Sequence, residues 1–280
     1  MTEFLARPRA VRLTPRSALV LTVAAVLGLS MFFWPLFAAP PPGTQAHTVD
    51  APFVFLFTLP VLILIVLAEV SGGGIDSKAL AMLGVLSAIN AGLRPLGAGT
   101  GGVELIFFLL VLAGRVFGPG FGFVLGSTSM FASALLTAGV GPWLPFQMLS
   151  SSLLGLGAGL LPNRVRGRWE IAMLGAYGVV AAYFFGFVMN LWSWPFLAGA
   201  SMDPNTAGLA FVPGDDVGAN LHRFLVFTLL TSTFGWDTGR ALTNLVAIVL
   251  VGPAVLATLR RAARRAAFSA PATFEARAQS

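Results

Sequence analysis

The segment Gly114–Pro162 decides the fold and reads GRVFGPGFGFVLGSTSMFASALLTAGVGPWLPFQMLSSSLLGLGAGLLP. Two apolar runs, Gly122–Leu136 and Phe146–Leu161, flank a turn with the sequence GVGPWLP at 139–145. Glycines recur every four residues at 114, 118, 122 and 126, a spacing that predicts one shared helix face. Small residues on one face let two membrane helices pack backbone to backbone. The segment therefore predicts a pair of close-packed membrane helices, joined at a membrane surface where tryptophan is favoured.

The composition indicates an all-α polytopic membrane protein. Of 280 residues, 56% are hydrophobic and 10% are charged, with a mean hydropathy of +0.85, whereas soluble domains carry about 25% charged residues. The chain leaves no room for a separate soluble domain. Cysteine is absent, and the two histidines, His47 and His222, lie far apart, so we predict no metal site. We assign the net charge of +6 to arginines at cytoplasmic helix ends rather than to nucleic-acid binding.

Apolar runs predict eight spanning helices. They are Ala18–Ala39, Phe53–Val70, Ala79–Leu93, Val103–Ala113, Phe121–Ala138, Phe146–Leu161, Ile171–Trp194 and Ala241–Leu259. The first run also fits a cleaved signal peptide, but its length favours an uncleaved helix. Phe224–Phe234 is too short to span a bilayer, and it either lies at the interface or opens the last helix pair.

Basic residues orient these spans. Eight spans place both ends on one side, and cytoplasmic ends put 14 of the 17 basic residues inside, as the positive-inside rule favours. The three basic residues left outside are Arg94, Arg223 and Arg240. Arg94 and Arg223 either neutralise an anionic group of a ligand or reach lipid phosphates.

Several kinds of chemistry find no support in the sequence. The only lysine, Lys78, lies in Gly-Ile-Asp-Ser-Lys, so there is no P-loop for ATP. Acidic residues within the spans are few, so we expect the midplane to lack the ionisable groups of an ion-driven transporter. An intramembrane protease or lipid transferase remains an alternative, using Ser127, Ser129, His222, Asp215 and Asp216. Our first reading predicts no catalytic residue and no cofactor.

Aromatic and polar residues gather at the predicted outer side. The tryptophans are Trp143, Trp192, Trp194 and Trp236, and the uncharged polar groups are Gln147, Asn190 and Asn220. They either line a pocket for a planar, partly polar molecule or form an aromatic belt at the membrane surface. Asn190 favours the pocket, because an amide inside an apolar span is costly unless bonded. The candidate substrate-binding residues are Arg94, Trp143, Gln147, Asn190, Trp194 and Arg223.

The stretch Lys78–Pro162 resembles the substrate-binding S component of energy-coupling factor (ECF) vitamin transporters, of the cobalamin-type or an uncharacterised subgroup. The matching residues are Leu93-Arg94-Pro95 at a helix end, Gly114-Arg115-Val116-Phe117-Gly118-Pro119 with Gly122, and Gly139, Gly141-Pro142-Trp143, Pro145 and Gln147-Met148. The resemblance implies a six-helix core that captures a vitamin from outside a bacterial plasma membrane. It also implies a T component and two ATPase subunits that drive delivery.

The resemblance further implies a docking face and a domain organisation. Gly84, Ala88 and Gly92 occupy, by spacing, the small-residue pattern that docks on the T component, with glycine replacing alanine twice. The core would then be 78–265, preceded by two additional helices in 1–77 and followed by a disordered tail at 266–280. A corrinoid is the first candidate substrate, and other vitamins, a queuosine precursor or a modified nucleobase stay open. A structural membrane assembly protein is the remaining alternative.

Overall fold

The regular structure of the described residues is entirely helical. The computed structural model describes residues 14–37, parts of 60–68, and residues 77–97, 101–197, 207–212 and 214–266. The helices are α1 (Pro15–Phe32), α2 (Trp34–Phe37), α3 (Ser77–Leu93), α4 (Ile106–Phe117), α5 (Pro119–Leu136), α6 (Leu144–Leu160), α7 (Arg168–Leu197), α8 (Val217–Thr228), α9 (Thr238–Leu250) and α10 (Gly252–Arg265). A π-helical segment, Leu229–Asp237, joins α8 to α9. The predicted all-α bundle is confirmed.

Glycines bring α4, α5 and α6 into backbone contact. A Cβ atom added at Gly114 or at Gly122 would overlap the carbonyl oxygen of Gly155 in α6. A Cβ atom at Gly155 would in turn overlap the carbonyl oxygen of Gly122, and one at Gly159 would overlap Pro119. The close helix packing predicted for Gly114–Pro162 is therefore present. Helices α4 and α5 both make their close backbone contacts with α6.

The glycines do not, however, share one continuous helix face. The helix ends at Gly118, whose φ angle is +98°, and α5 begins at Pro119. Proline has no N–H and disfavours helical geometry in the residue before it, while glycine tolerates positive φ. Gly114 thus belongs to α4 and Gly122 to α5, and both reach α6 because the chain turns sharply between them.

The last predicted span has different bounds in the structure. Val217–Leu250 forms one helical run through the π segment, and α10 bends away from it by 65° at Val251. The prediction of a spanning helix over Ala241–Leu259 was therefore wrong, because Gly252 and Pro253 interrupt that apolar run. Phe224–Phe234 lies inside this long run. This agrees with the second of the two predictions for that segment, that it opens the last helix pair.

Four helices of the described chain are long and apolar enough to cross a membrane, and a fifth is counted if the bent pair is one span. They are Pro15–Phe32, Ser77–Gly97, Pro119–Leu136 and Arg168–Pro195, with Val217–Leu250 and α10 as the bent pair. Helices α4 and α6 are shorter but apolar. From α3 to α9 the chain makes six helical passes, counting Val217–Leu250 as one. The predicted total of eight remains a prediction, since most of Phe53–Val70 lies outside the described residues.

Helix α1 packs on this six-helix set. The ring of Phe32 meets the ring of Phe146 edge to face, with centroids 5.0 Å apart, and Gly28 lies against the side chain of Leu149. The predicted first helix, Ala18–Ala39, instead starts at Pro15, with Thr14 accepting a hydrogen bond from the backbone N–H of Ser17 at 3.0 Å. It ends at Phe32, two residues before Trp34-Pro35, and it contacts α6 through Gly28 and Phe32.

We call the end of the bundle that carries Arg115 and the α6–α7 turn the inner end. There Arg115 is almost fully buried and donates to Oε1 of Glu170 at 2.7 Å and to the carbonyl oxygens of Leu161 and Val165. Arg260 in α10 donates to both carboxylate oxygens of Glu170 at 2.7 Å. Glu170 therefore fastens α10 to α4 and α7.

Candidate functional site

The opposite, outer end carries Arg94, the α5–α6 turn and the start of α8. Nη2 of Arg94 donates a hydrogen bond to Oε1 of Gln147 at 3.1 Å. The two residues lie directly after α3 and near the start of α6, so the bond links the ends of these helices. The structure thus brings together two of the six predicted binding residues, over a separation of 53 positions.

Trp143 lies on the surface of its own turn. Its Nε1 donates to the carbonyl oxygen of Gly139 at 3.1 Å, its ring covers Gly141, and the residue is 43% exposed. A ring held against its own loop closes the α5–α6 turn. Trp143 is not among the residues that line the cleft described below.

Trp194 and Arg223 organise the connection between α7 and α8. Trp194 is completely buried with Phe211 and Phe224, and its Nε1 donates to the carbonyl oxygen of Leu209 at 2.9 Å. Arg223 pairs with Asp215 at 2.6 Å and donates to Oδ1 of Asn220 at 3.1 Å. Both predicted residues therefore hold the 207–216 connection on the bundle.

The same connection is tied down at two further points. The amide of Asn220 accepts from the backbone N–H of Val212 and donates to its carbonyl oxygen, at 3.0 and 2.9 Å. Asp216 accepts from the N–H groups of Gly218 and Ala219 and so caps α8. The guanidinium of Arg223, followed by the N–H of Asp216, lowers the pKa of the Asp215 carboxyl below its ordinary value. Of the polar bonds that tie the connection down, the ion pair with Arg223 is the one that requires an ionised Asp215.

A cleft of about 320 Å³ opens between α7 and the π segment. Its aromatic walls are Phe185, Phe227 and Trp236, and its polar groups include Asn190, Ser232 and Arg240. Nδ2 of Asn190 is buried and has no hydrogen-bond partner among the described residues. Buried amide groups are almost always bonded, so an unbonded amide in a residue that lines the cleft makes Asn190 a candidate polar contact for an occupant. Asn190 is the one predicted binding residue that lines it.

The floor of the cleft holds an ion cluster. Arg240 donates from Nε to Glu104 at 2.6 Å and from Nη1 to Asp237 at 2.8 Å, and its guanidinium lies 5.1 Å from the Phe185 ring centroid. The side chain of Asp237 is 1% exposed, and Ser232 also donates to it at 2.9 Å. One arginine thus faces two carboxylates, so the floor offers no uncompensated positive charge.

This cluster corrects the expectation that the apolar interior lacks ionisable groups. Asp237 lies against Gly186, well inside the apolar span Arg168–Pro195. Arg240 had been placed in an outer loop, because the polar stretch before it concealed the helical run from Val217. The 12-residue helix α4 begins only at Ile106, which leaves Glu104 deep enough to meet Arg240.

The loop before α4 holds the π segment in place. Gly102 has a φ angle of +81° and packs against the backbone of Trp236, while Gly239 packs against the carbonyl oxygen of Gly101. Nδ2 of Asn244 donates to the carbonyl oxygen of Glu104 at 2.7 Å. A π-helix is rare and is frequently found at functional sites. Trp236 belonged to the predicted outer aromatic group but was not among the candidate binding residues, and Arg240 was not among them because its polar flanks gave no sign of a buried helix.

The residues of the enzyme alternative are engaged elsewhere. The hydroxyls of Ser127 and Ser152 share a hydrogen bond of 2.7 Å, and Ser129 accepts from the amide of Asn90 at 3.0 Å. His222 is exposed on α8. Asp215 and Asp216 serve the α7–α8 connection, so the geometry assembles no serine–histidine pair among these residues.

The bundle is that of a polytopic helical membrane protein, and the cleft between α7 and the π segment is its candidate small-molecule site. The family of ECF transporter substrate-specific components matches residues 78–232, more than half of the chain. The chain belongs to this family, as its resemblance over Lys78–Pro162 predicted. Searches of curated proteins and of solved structures gave no match.

Proposed function

We propose that this chain captures a vitamin-like micronutrient from outside a bacterial plasma membrane as the S component of an ECF importer. It then delivers the ligand through a T component driven by two ATPase subunits, and itself catalyses no reaction. The observation that carries the proposal is the cleft between α7 and the π segment, with its aromatic walls and the unbonded Nδ2 of Asn190. Family membership supports the role in an importer, and the cleft supports this location for the binding site.

The cleft favours a small, flat ligand with a hydrogen-bond acceptor. Its volume of about 320 Å³ lies at the lower end of the range for small-molecule sites. The aromatic rings of Phe185, Phe227 and Trp236 suit a planar ring system. A corrinoid, with its macrocycle and amide side chains, is larger than this space. We therefore place a compact heterocyclic vitamin or nucleobase before the corrinoid among the candidates.

The exposed face of α3 supports docking to a T component. Gly84, Ala88 and Gly92 are all exposed, and a Cβ atom added at Gly84 or Gly92 would meet no atom within 4 Å. The opposite face, with Leu83, Leu86 and Asn90, is buried against the bundle. A free face of small residues allows another helix to approach closely, and we propose that the T component provides that helix.

Native mass spectrometry of the detergent-purified chain from cells grown in rich medium tests the capture role. We expect a copurified mass of vitamin size, or a bound mass after adding a vitamin and nucleobase panel that includes cobalamin. Trp236→Ala should lose the ligand, and Trp143→Ala, which alters a tryptophan outside the cleft, should keep it. No bound mass from either source would contradict the proposed function, and loss in Trp143→Ala alone would move the site to the α5–α6 turn.

A further inference from the structure

An open apolar groove runs along the exposed side of α9. It measures about 440 Å³ and is lined by Leu105, Leu242, Val246, Leu250 and Val251, with Leu250 74% exposed. The hydroxyl of Thr243, which also borders it, already donates to the carbonyl oxygen of Gly239. The groove therefore offers an occupant dispersion contacts and no free hydroxyl donor. An alkyl chain fits this chemistry.

A basic stripe on α10 follows the groove along the chain. Val251 ends the groove, and α10 turns away there by 65°. Ala254, Thr258, Arg261 and Arg265 follow at intervals of three or four residues, so they share one face of α10, and all four are exposed. Along this face the exposed side chains change from apolar through small to cationic, as on a helix that passes from hydrocarbon into the headgroup layer.

The stripe retains its positive charge. Glu170 is the only carboxylate in the inner-end cluster, and it is buried between Arg115 and Arg260. Among the described residues, Arg261 and Arg265 have no ion pair. Trp169, 67% exposed beside Arg168, adds a side chain that favours the membrane interface. A phosphate could therefore bind Arg261 and Arg265 without competition from an acid in the part of the chain that the structure describes.

We propose that this surface binds one anionic phospholipid of the cytoplasmic leaflet. An acyl chain lies in the α9 groove, and the phosphate of its headgroup accepts hydrogen bonds from Arg261 and Arg265. Guanidinium groups bind phosphate in a two-pronged geometry, and basic groups next to a membrane attract anionic lipids. The site is separate from the ligand cleft. A lipid bound there would hold α10 at the membrane surface, and Arg260 links α10 to Glu170.

Native mass spectrometry of the purified full chain, with phosphatidylglycerol or phosphatidylcholine of identical acyl chains, tests the proposal. The wild-type chain should retain phosphatidylglycerol preferentially, and R261Q/R265Q should lower that retention roughly tenfold. R164Q/R166Q removes the same charge from the neighbouring α6–α7 turn and should leave retention unchanged. V246W fills the groove and should lower retention although the arginines remain. Thermal unfolding identifies variants that are folded.

Other outcomes would overturn the proposal. Equal retention of the two lipids would show that the site does not recognise the headgroup charge. An equal loss of retention in R164Q/R166Q would show that the effect comes from the general charge of this surface. Displacement by soluble glycerol phosphate would show that the arginines bind a free phosphate rather than a lipid. If R261Q/R265Q kept the lipid but lost copurified ATPase subunits, the stripe would be a protein-docking surface.

Discussion

Arg94 and Gln147 are hydrogen-bonded across the outer end of the bundle, with Nη2 of the arginine 3.1 Å from Oε1 of the glutamine. The bond joins the end of α3, which carries the small-residue face, to the start of α6, on which the glycines of α4 and α5 converge. It gives a hydrogen-bond partner to an arginine that the predicted orientation places outside, where the positive-inside rule disfavours basic residues. The guanidinium therefore has a structural partner within the bundle.

A double-mutant cycle on this pair should reveal coupling. We expect Arg94→Leu and Gln147→Leu each to lower the unfolding temperature, and the double variant to cost less than the sum. The coupling should be on the order of 1 kcal/mol, because the hydrogen bond has one charged partner. Thermal unfolding in detergent measures it. Strictly additive losses would show that the two side chains act independently.

Gly155 and Gly84 form a matched pair for the packing argument. Gly155→Ala should destabilise the chain by about 1–3 kcal/mol, because the new methyl group would overlap the backbone of Gly122 and force α5 from α6. Gly84→Ala should leave the isolated chain unchanged or stabilise it by about 0.5–1 kcal/mol, since its surroundings are open. Chemical unfolding of both variants provides the measurement. Equal effects would contradict the packing.

Ala88→Leu should separate ligand capture from delivery. Ala88 is exposed on α3, so a leucine there leaves the bundle intact but prevents close approach by another helix. We expect unchanged ligand retention and loss of copurification with the T component and of uptake. Ala18→Leu, at an exposed alanine on α1, is the control and should retain both functions. Loss of ligand in Ala88→Leu would assign Ala88 to the fold instead.

Acidification should weaken one tie in the connection between α7 and α8, the ion pair of Asp215 with Arg223. Arg223 and the N–H of Asp216 lower the pKa of Asp215 in the folded chain. The stabilisation is therefore fully present above the usual aspartate pKa of about 3.9 and is lost as the pH falls through the lower folded value. Hydrogen exchange over 207–222, corrected for intrinsic rates, should stay constant above pH 5 and rise in acid. Asp215→Asn should abolish this pH dependence.

The sequence predicted best those features that depend only on neighbouring residues in the chain. Arg94-Pro95 ends α3 and the Gly-Pro pairs interrupt helices, because proline disrupts helix geometry whatever surrounds it. The tie between Glu104 and Arg240 was not predictable, since 136 positions separate them and a hydrophobic pattern does not report depth. The π segment was also missed, because its apolar residues look like an ordinary helix. Among the predicted binding residues, Asn190 alone marked the cleft.

The π segment has a consequence for how this chain could diverge from its relatives. A π turn accommodates more residues than an α turn, so Leu229–Asp237 carries extra backbone within an otherwise α-helical run. A homologue that lacked one residue there could cross the same distance as plain α-helix, with both flanks and the Arg240 ties kept. The wall bearing Trp236 would then rotate. If the cleft holds the ligand as we propose, insertion or deletion of a single codon here would change the shape of the site while the bundle remains intact.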